Sequence, residues 1–266
     1  MTGKLAGKVA VVTGSSSGNG RAIALALAAE GAAVVCSDLR REAREGGYES
    51  DIDRTTDDVI RLAGGKAEFV DADASRYADV ENLVASAVGT FGRLDVMVNN
   101  AGIFTGLHTI VEETEDEYDR TMAVNAKGVW LGCKFAIRQM LTQDPVDGSR
   151  GRIVNIASIG GLVGLAAEPS YCAAKGAVVN LTRQLAVDFA AERINVNAVC
   201  PGFLATAMVR PFLSDPELNK VLHEKSPWPE LGTAQDVAKA TVFLATDDAR
   251  WATGTLLTVD GGFTSP

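Results

Sequence analysis

Short apolar runs alternate with amphipathic helical segments along nearly the whole chain. Seven of these runs read as strands, at residues 9–13, 33–37, 67–70, 94–98, 152–157, 195–199 and 256–259. A strand followed by a helix and then another strand is typical of parallel pairing through right-handed crossovers. The sequence therefore predicts an α/β fold: a doubly wound seven-stranded parallel sheet with helices on both faces. Ligands of such sheets bind beyond the carboxyl ends of the strands.

The first predicted strand leads directly into a glycine-rich loop. Residues 14–20 read Gly-Ser-Ser-Ser-Gly-Asn-Gly, and a helical run begins at Arg21. Glycines let the backbone turn tightly and approach a phosphate, while a helix N-terminus offers free N–H groups and a positive dipole. The loop therefore predicts a pyrophosphate-binding segment of a dinucleotide site. Its candidate residues are Gly14, Ser16, Ser17, Gly18, Asn19 and Gly20.

The end of the second predicted strand bears on which dinucleotide is used. Asp38 stands there, 20 residues after Gly18. A carboxylate at this position can accept hydrogen bonds from the adenosine ribose hydroxyls and would repel a 2′-phosphate. Arg40 and Arg41 could instead reach such a phosphate, although they also fit a solvated run of charges. The pattern favours NAD over NADP.

Tyr171 and Lys175 form a candidate acid/base pair. Four residues separate them, so they share one face of a helix. A lysine ammonium ~5 Å from a phenol favours phenolate by roughly 3 kcal/mol at an effective dielectric near ~20. The spacing therefore predicts a lowered pKa for Tyr171, suited to proton transfer near neutral pH. Ser158 ends a predicted strand and can hydrogen-bond a substrate oxygen, so Ser158 and Tyr171 are the candidate substrate-binding residues.

These motifs occur in an order that resembles the short-chain dehydrogenase/reductase family, over nearly all 266 residues. The matching positions are residues 13–20, Asp73, residues 99–102, Asn125, Ser158, residues 171–175 and residues 201–202. The resemblance implies a Rossmann-type fold and nicotinamide-dependent oxidation or reduction at a carbinol or carbonyl carbon. It places a catalytic tetrad on Asn125, Ser158, Tyr171 and Lys175.

The same resemblance implies roles for further residues. Asn125 would distort its helix and support a water between its backbone and Lys175. Lys175 would lower the pKa of Tyr171 and bind the nicotinamide ribose. Together with the glycine loop, the implied cofactor-binding residues are Asp38, Leu39, Asp73, Ala74, Asn100, Ala101, Gly102, Tyr171, Lys175, Pro201, Gly202, Leu204 and Thr206.

Composition limits the alternatives. A chain of 266 residues that is 47% hydrophobic can bury one core as a single domain, here 1–266 with a substrate lid at about 203–230. A net charge of −9 and a pI near 4.8 argue against binding nucleic acid or anionic membranes. No long apolar run or targeting leader is evident, which predicts a cytoplasmic protein. Two histidines and four cysteines without Cys-x-x-Cys spacing give no reason to expect a metal site.

The substrate is predicted only as a small alcohol or ketone. Candidate pocket-lining residues are Phe104, Val163, Leu165, Met208, Phe212, Leu213 and Trp228. Glu168 and His108 could add polarity to the pocket, but a surface position is expected for each. Three features depart from the family pattern: Asn19 replaces a branched apolar residue, the polar segment 41–57 is longer than usual, and Glu230 stands where a basic residue often precedes Leu-Gly.

Two other functions remain open at this stage. One is an NADPH-dependent 3-oxoacyl-carrier-protein reductase, and the other is a non-catalytic dinucleotide-binding sensor. Surplus apolar residues along the helix after Tyr171, together with the family resemblance, predict a homotetramer.

Overall fold

One parallel sheet organises the protein, whose computed structural model describes residues 3–44, 51–204, 220 and 225–265. Within these residues the strands are β1 (Val9–Thr13), β2 (Ala33–Asp38), β3 (Ala67–Asp71), β4 (Val96–Asn99), β5 (Gly151–Ile156), β6 (Ile194–Pro201) and β7 (Leu256–Val259). Their order is β3-β2-β1-β4-β5-β6-β7, and every neighbouring pair is parallel. The predicted fold class is therefore confirmed.

Helices cover both faces of this sheet. The described part of the chain contains α1 (Gly18–Ala29), α2 (Thr56–Leu62), α3 (Tyr77–Phe91), α4 (Glu115–Met122), α5 (Gly128–Met140), α6 (Pro169–Phe189) and α7 (Ala234–Ala245). Buried residues of α3, α5 and α6 belong to one core, and those of α1, α2 and α7 to the other. None of the helices in the described residues is long and apolar enough to span a bilayer.

Alternation along β1 explains why there are two cores. Successive strand side chains point to opposite faces of a sheet. Val9 and Val11 pack into the core with α3, α5 and α6, whereas Ala10 and Val12 pack into the core with α1, α2 and α7. All four side chains are at most 3% exposed. Full burial of a valine contributes roughly 1.5–3 kcal/mol, so both faces of this strand stabilise the fold.

The strand order reverses at β1. β2 and β3 lie on one side of it, and β4 to β7 lie on the other. The connections that follow β1 and β4 run in opposite directions, which opens a crevice beyond the carboxyl ends of these two strands. Gly14 follows β1 and Asn100 follows β4, so the sheet brings these two residues to the crevice.

Candidate active site

A cleft of about 1180 Å³ lies at this carboxyl edge of the sheet. Its wall contains every predicted cofactor- or substrate-binding residue that the structure describes. These are Gly14, Ser16, Ser17, Gly18, Asn19, Gly20, Asp38, Leu39, Asp73, Ala74, Asn100, Ala101, Gly102, Ser158, Tyr171, Lys175, Pro201, Gly202 and Leu204. Thr206 lies outside the described residues, as do Met208, Phe212, Leu213 and most of the predicted lid.

The glycine loop is closed tightly around the start of α1. Gly14 has a φ of 64°, a left-handed conformation that favours glycine. A Cβ on Gly20 would lie 2.0 Å from the Gly14 carbonyl oxygen, so no side chain fits there. The Asn100 side chain donates hydrogen bonds to the carbonyls of Thr13 and Gly14, at 2.9 and 3.1 Å. The loop after β4 therefore fixes the loop after β1.

The loop and cleft fit a dinucleotide. The 12-residue helix α1 begins at Gly18 and directs its N-terminal end to the cleft. The cleft volume exceeds the ~300–1,000 Å³ of most small-ligand pockets, as an extended ligand requires. The Asn19 side-chain oxygen is buried without a hydrogen-bond partner among the described residues. A polar atom left unpaired at a phosphate cradle is a candidate ligand contact.

Asp38 is held at the adenosine end by backbone groups. Its carboxylate accepts hydrogen bonds from the N–H of Ser16 at 3.1 Å and of Leu39 at 2.8 Å. Arg41, a candidate 2′-phosphate ligand, instead pairs with Asp57 at 2.7 Å and Asp58 at 3.2 Å. Arg40 remains in the cleft wall.

The polar segment 41–57 reaches this end of the site where it is described. Asp51 pairs at 3.0 Å with Arg21, a fully buried residue of α1. The Thr56 hydroxyl donates to the Ser15 carbonyl at 2.7 Å and accepts from the Arg21 guanidinium at 3.1 Å. The segment therefore supports the glycine loop and is not only a surface loop.

Asp73 is engaged in a local turn at the start of α3. One carboxylate oxygen accepts hydrogen bonds from the backbone N–H and the hydroxyl of Ser75, at 2.9 and 2.7 Å. The Asp73 N–H donates to Asp79 at 3.1 Å. Asp73 thus shapes the turn that brings Ala74 to the cleft.

Asn125 lies behind the cleft wall in a π-helical turn, Ala123–Lys127, between α4 and α5. Its side-chain amide donates to the Ile103 carbonyl and accepts from the Ile103 N–H, both at 2.8 Å. Wide turns of this kind are frequent at functional sites. The helix distortion expected at Asn125 is present, and the side chain fixes the segment that follows Gly102.

Ser158, Tyr171 and Lys175 meet where β5 and α6 adjoin. The Ser158 hydroxyl accepts a hydrogen bond from the Gly160 N–H at 3.1 Å and lies beside the Tyr171 side chain. The Lys175 ammonium donates to the Ile156 carbonyl at 2.9 Å and lies 5.8 Å from the centre of the Tyr171 ring. Phe104 packs edge-to-face against Tyr171, with the two ring centroids 5.8 Å apart.

The expected lowering of the Tyr171 pKa is wrong. Burial raises the pKa of Tyr171 to about 12, against the opposing effect of the nearby Ser158 hydroxyl. Burial also lowers the pKa of Lys175 to about 8. The loss of hydration of both side chains therefore outweighs the attraction that their spacing suggested. Tyr171 is held as a neutral phenol, the form that donates a proton.

The loop after β6 closes the far end of the cleft. Gly202 donates its N–H to the Val259 carbonyl at 3.0 Å, and a Cβ on Gly202 would lie 2.8 Å from the Asp260 Cα. Leu204 is buried and bridges to Gly232. Pro201, Gly202 and Leu204 are thus anchored to the chain that follows β7.

Predictions about the substrate pocket had mixed outcomes. Phe104 and Leu165 line the cleft, whereas Val163 and Trp228 are exposed and lie outside its wall. His108 pairs with Glu117 at 3.2 Å and is not in the wall. The surface position expected for Glu168 is wrong, because this residue is half-buried and lines the cleft.

Thr13 is a structural residue of the site that the sequence reasoning did not single out. Its hydroxyl accepts hydrogen bonds from the backbone N–H groups of Asn100 and Ala101, both at 3.0 Å. The sequence signal for this role is a hydroxyl-bearing residue at the end of the strand that precedes the glycine loop.

Comparisons with known proteins agree with this geometry. Residues 14–264 match a family model described as Enoyl-(Acyl carrier protein) reductase. The chain is 41% identical over 264 residues to 2-(R)-hydroxypropyl-CoM dehydrogenase of Xanthobacter autotrophicus, covering 97% of this chain and 99% of that protein. It is 36% identical to 2,5-dichloro-2,5-cyclohexadiene-1,4-diol dehydrogenase of Sphingobium indicum, covering 98% of each.

Solved structures show the same fold. A short-chain type dehydrogenase/reductase from Mycobacterium marinum has a TM-score of 0.88 at 31% identity, covering 99% of this chain and 98% of that one. A structure with bound NADP, assigned to a 2-deoxy-D-gluconate 3-dehydrogenase from Agrobacterium tumefaciens, has a TM-score of 0.86 at 36% identity, covering 99% and 98%. The chain therefore belongs to the short-chain dehydrogenase/reductase family of oxidoreductases.

Proposed function

We propose that this protein is an NAD-dependent oxidoreductase that interconverts a secondary alcohol and a ketone by hydride transfer, with Tyr171 as the general acid/base. One observation carries the proposal: Ser158, Tyr171 and Lys175 share one cleft with the glycine loop and Asp38. A non-catalytic fold would not need a proton donor beside a dinucleotide cradle.

Tyr171 and Ser158 would act on the substrate oxygen. In reduction, the Tyr171 hydroxyl donates its proton to the carbonyl oxygen; in oxidation, the phenolate takes the proton from the alcohol. Ser158 is 7% exposed, and its fixed hydroxyl can orient and polarise the same oxygen. When bound, a nicotinamide cofactor supplies the hydride chemistry.

Lys175 and Asn125 would support Tyr171 from behind. Lys175 is only 4% exposed, and its ammonium makes a single described hydrogen bond, to the Ile156 carbonyl. It therefore retains donor capacity for ribose hydroxyls. Asn125 holds the Ile103 backbone and so fixes the wall opposite Lys175.

The NAD preference rests on Asp38. Its carboxylate is fixed by the N–H groups of Ser16 and Leu39, where it can accept ribose hydrogen bonds and repel a 2′-phosphate. Arg41, one of the two arginines that could bind a 2′-phosphate, is instead paired with Asp57 and Asp58, whereas Arg40 remains in the cleft wall. The bound NADP in the Agrobacterium structure weighs in the opposite direction.

The substrate class follows from the cleft and the relatives. The names of the Xanthobacter and Sphingobium relatives describe dehydrogenases of compounds that carry a hydroxyl on a secondary carbon. Phe104 and Leu165 give the cleft an apolar side near Tyr171. We expect a small, moderately apolar secondary alcohol or its ketone to bind there.

Assembly is a further part of the proposal. Val187 on α6 is 80% exposed, and Trp251 before β7 is 92% exposed. Exposed apolar side chains of this size favour contact with another copy, and the family resemblance implies a homotetramer. We place this assembly in the cytoplasm, as the lack of an evident targeting leader suggests.

Two alternatives make distinct predictions. An NADPH-dependent 3-oxoacyl-carrier-protein reductase would prefer NADPH and bind an acidic carrier, which the net charge of −9 disfavours. A dinucleotide-binding sensor would bind NADH without turnover.

One screen separates these possibilities. Secondary alcohols and ketones are tested with both oxidised and both reduced cofactors, followed by the absorbance of the reduced nicotinamide. The proposal expects turnover that is greater with NAD(H) than with NADP(H). Binding of NADH with no turnover across the panel would favour the sensor instead.

A further inference from the structure

Glu168 lines the cleft, but the proposed mechanism gives this residue no role. It immediately precedes α6, three residues before Tyr171. Residues three apart at the start of a helix lie on one face, with a rise of only ~4.5 Å between them. The carboxylate is therefore a neighbour of the proton-transferring phenol on the same side of the cleft.

The backbone on either side of Glu168 is fixed. Ala167 has a φ of 59°, a left-handed conformation that is unfavourable for a residue other than glycine. Its carbonyl accepts a hydrogen bond from the His108 N–H at 2.9 Å, which holds that conformation. Pro169 then starts α6 with a restricted φ. The chain therefore maintains a strained turn that brings Glu168 to the cleft.

No structural task within the described residues accounts for the carboxylate. Glu168 stands at the N-cap position of α6, yet its side chain makes no capping hydrogen bond. Burial raises its pKa to about 7, and among the described residues no cation or donor holds it ionised. The neighbouring Glu113, by contrast, accepts a hydrogen bond from the Ser170 hydroxyl.

We propose that Glu168 is a specificity-determining residue that accepts a hydrogen bond from a second hydroxyl group of the substrate, close to the reacting carbon. The site would then select diols and hydroxyketones over monohydric alcohols, ketones and anionic substrates. This inference rests on the proposed function, because it names the substrate class of the same cleft.

The energetics favour a substrate with a donor. A monohydric substrate that excludes water from Glu168 leaves a buried acceptor unpaired, which weakens its binding by about tenfold or more. An anionic substrate adds repulsion from the ionised carboxylate. A second substrate hydroxyl donates a hydrogen bond to the Glu168 carboxylate. Only substrates that carry such a hydroxyl therefore avoid the cost of the unpaired acceptor.

The test compares substrates of one carbon skeleton. Vicinal butanediol, sec-butanol, the corresponding amino alcohol and β-hydroxybutyrate are oxidised by wild type, Glu168→Ala, Glu168→Gln and the exposed control Glu115→Ala. We expect wild type to prefer the diol to sec-butanol by about tenfold or more in kcat/KM. Glu168→Ala should reduce that preference to near parity, whereas Glu168→Gln, which keeps an acceptor oxygen, should retain most of it. Glu115→Ala should leave it unchanged.

Several outcomes would overturn the inference. A diol preference that survives in Glu168→Ala would mean that the second hydroxyl is recognised elsewhere. A preference for the amino alcohol over the diol, lost in Glu168→Gln, would make Glu168 a cation site. Thermal melting of Glu168→Gln checks that the variant is folded. If wild type oxidises none of the four compounds and reduces no ketone with either cofactor, the proposed function itself fails.

Discussion

The Lys175 ammonium donates a hydrogen bond to the Ile156 carbonyl at 2.9 Å. Ile156 ends β5, two residues before Ser158, and Lys175 lies one turn after Tyr171 on α6. This bond therefore joins the strand that carries the serine to the helix that carries the tyrosine. The relative positions of Ser158 and Tyr171 are set by the protein itself before any ligand binds.

Replacing Lys175 should stabilise the cofactor-free protein while abolishing efficient catalysis. Burial lowers the pKa of Lys175 to about 8 from its ordinary value of 10.5, so the folded state binds its proton less tightly than the unfolded state does. That penalty is complete below about pH 8 and is relieved as pH rises toward 10.5. Lys175→Met should therefore melt higher near neutral pH, by about 1–3 kcal/mol of unfolding free energy.

Thermal melting of wild type and Lys175→Met, at the same protein concentration, is measured near neutral pH and near pH 10.5. The advantage of Lys175→Met should shrink at the higher pH. A less stable variant at neutral pH would mean that the hydrogen bond to Ile156 outweighs the cost of burying the charge.

Gly20→Ala should abolish dinucleotide binding. A Cβ at Gly20 would lie 2.0 Å from the Gly14 carbonyl oxygen, so the glycine loop must open. Gly89→Ala is the matched control, because that helical glycine has open space around its Cβ position. NADH titration by fluorescence should show normal affinity for Gly89→Ala and at least a hundredfold loss for Gly20→Ala, about 2.7 kcal/mol. Equal affinities would show that the loop does not contact the cofactor.

Asp38→Ala should shift cofactor preference toward NADP. The substitution removes both the ribose acceptor and the charge that opposes a 2′-phosphate. Adding Ser17→Arg to this variant supplies a cation in the same wall and should strengthen the shift. The ratio of kcat/KM for NAD to that for NADP, measured in all three proteins, should fall at each step. A wild type that already prefers NADPH would refute this assignment and support the carrier-protein reductase.

The protein should be a homotetramer through its exposed apolar residues. Val187→Asp places a charge on α6 at a residue that is 80% exposed in the isolated chain. Light scattering after size exclusion should give about four times 27.9 kDa for wild type and a smaller mass for the variant. A wild-type mass of one chain at micromolar concentration would contradict the proposed assembly.

Much of the fold could be predicted from the sequence because both faces of the sheet are covered. Buried parallel strands read as continuous apolar runs, and the predicted strand ends lie within two residues of those observed. The positions of Asp38 and Asn100 then followed from topology, since residues after parallel strands gather at one edge.

The pKa changes within the site could not be predicted from the sequence in the same way. The spacing of Tyr171 and Lys175 indicates proximity, but the sign of their pKa changes depends on how deeply each is buried. The position of Glu168 depends on the left-handed conformation of Ala167, which the residue type does not signal. Hydrogen bonding to the His108 backbone, contributed by a distant loop, makes that conformation possible.

The most direct test of the account is the turnover of Tyr171→Phe beside its affinity for NADH. This change removes only the hydroxyl that transfers the proton, while the ring can still pack against Phe104. With the best alcohol from the screen, kcat/KM should fall by ~10²–10⁴-fold or more, and NADH affinity should remain within about threefold of wild type. A variant that keeps more than about a tenth of the wild-type rate with chemistry limiting would contradict the role of Tyr171 as the general acid/base.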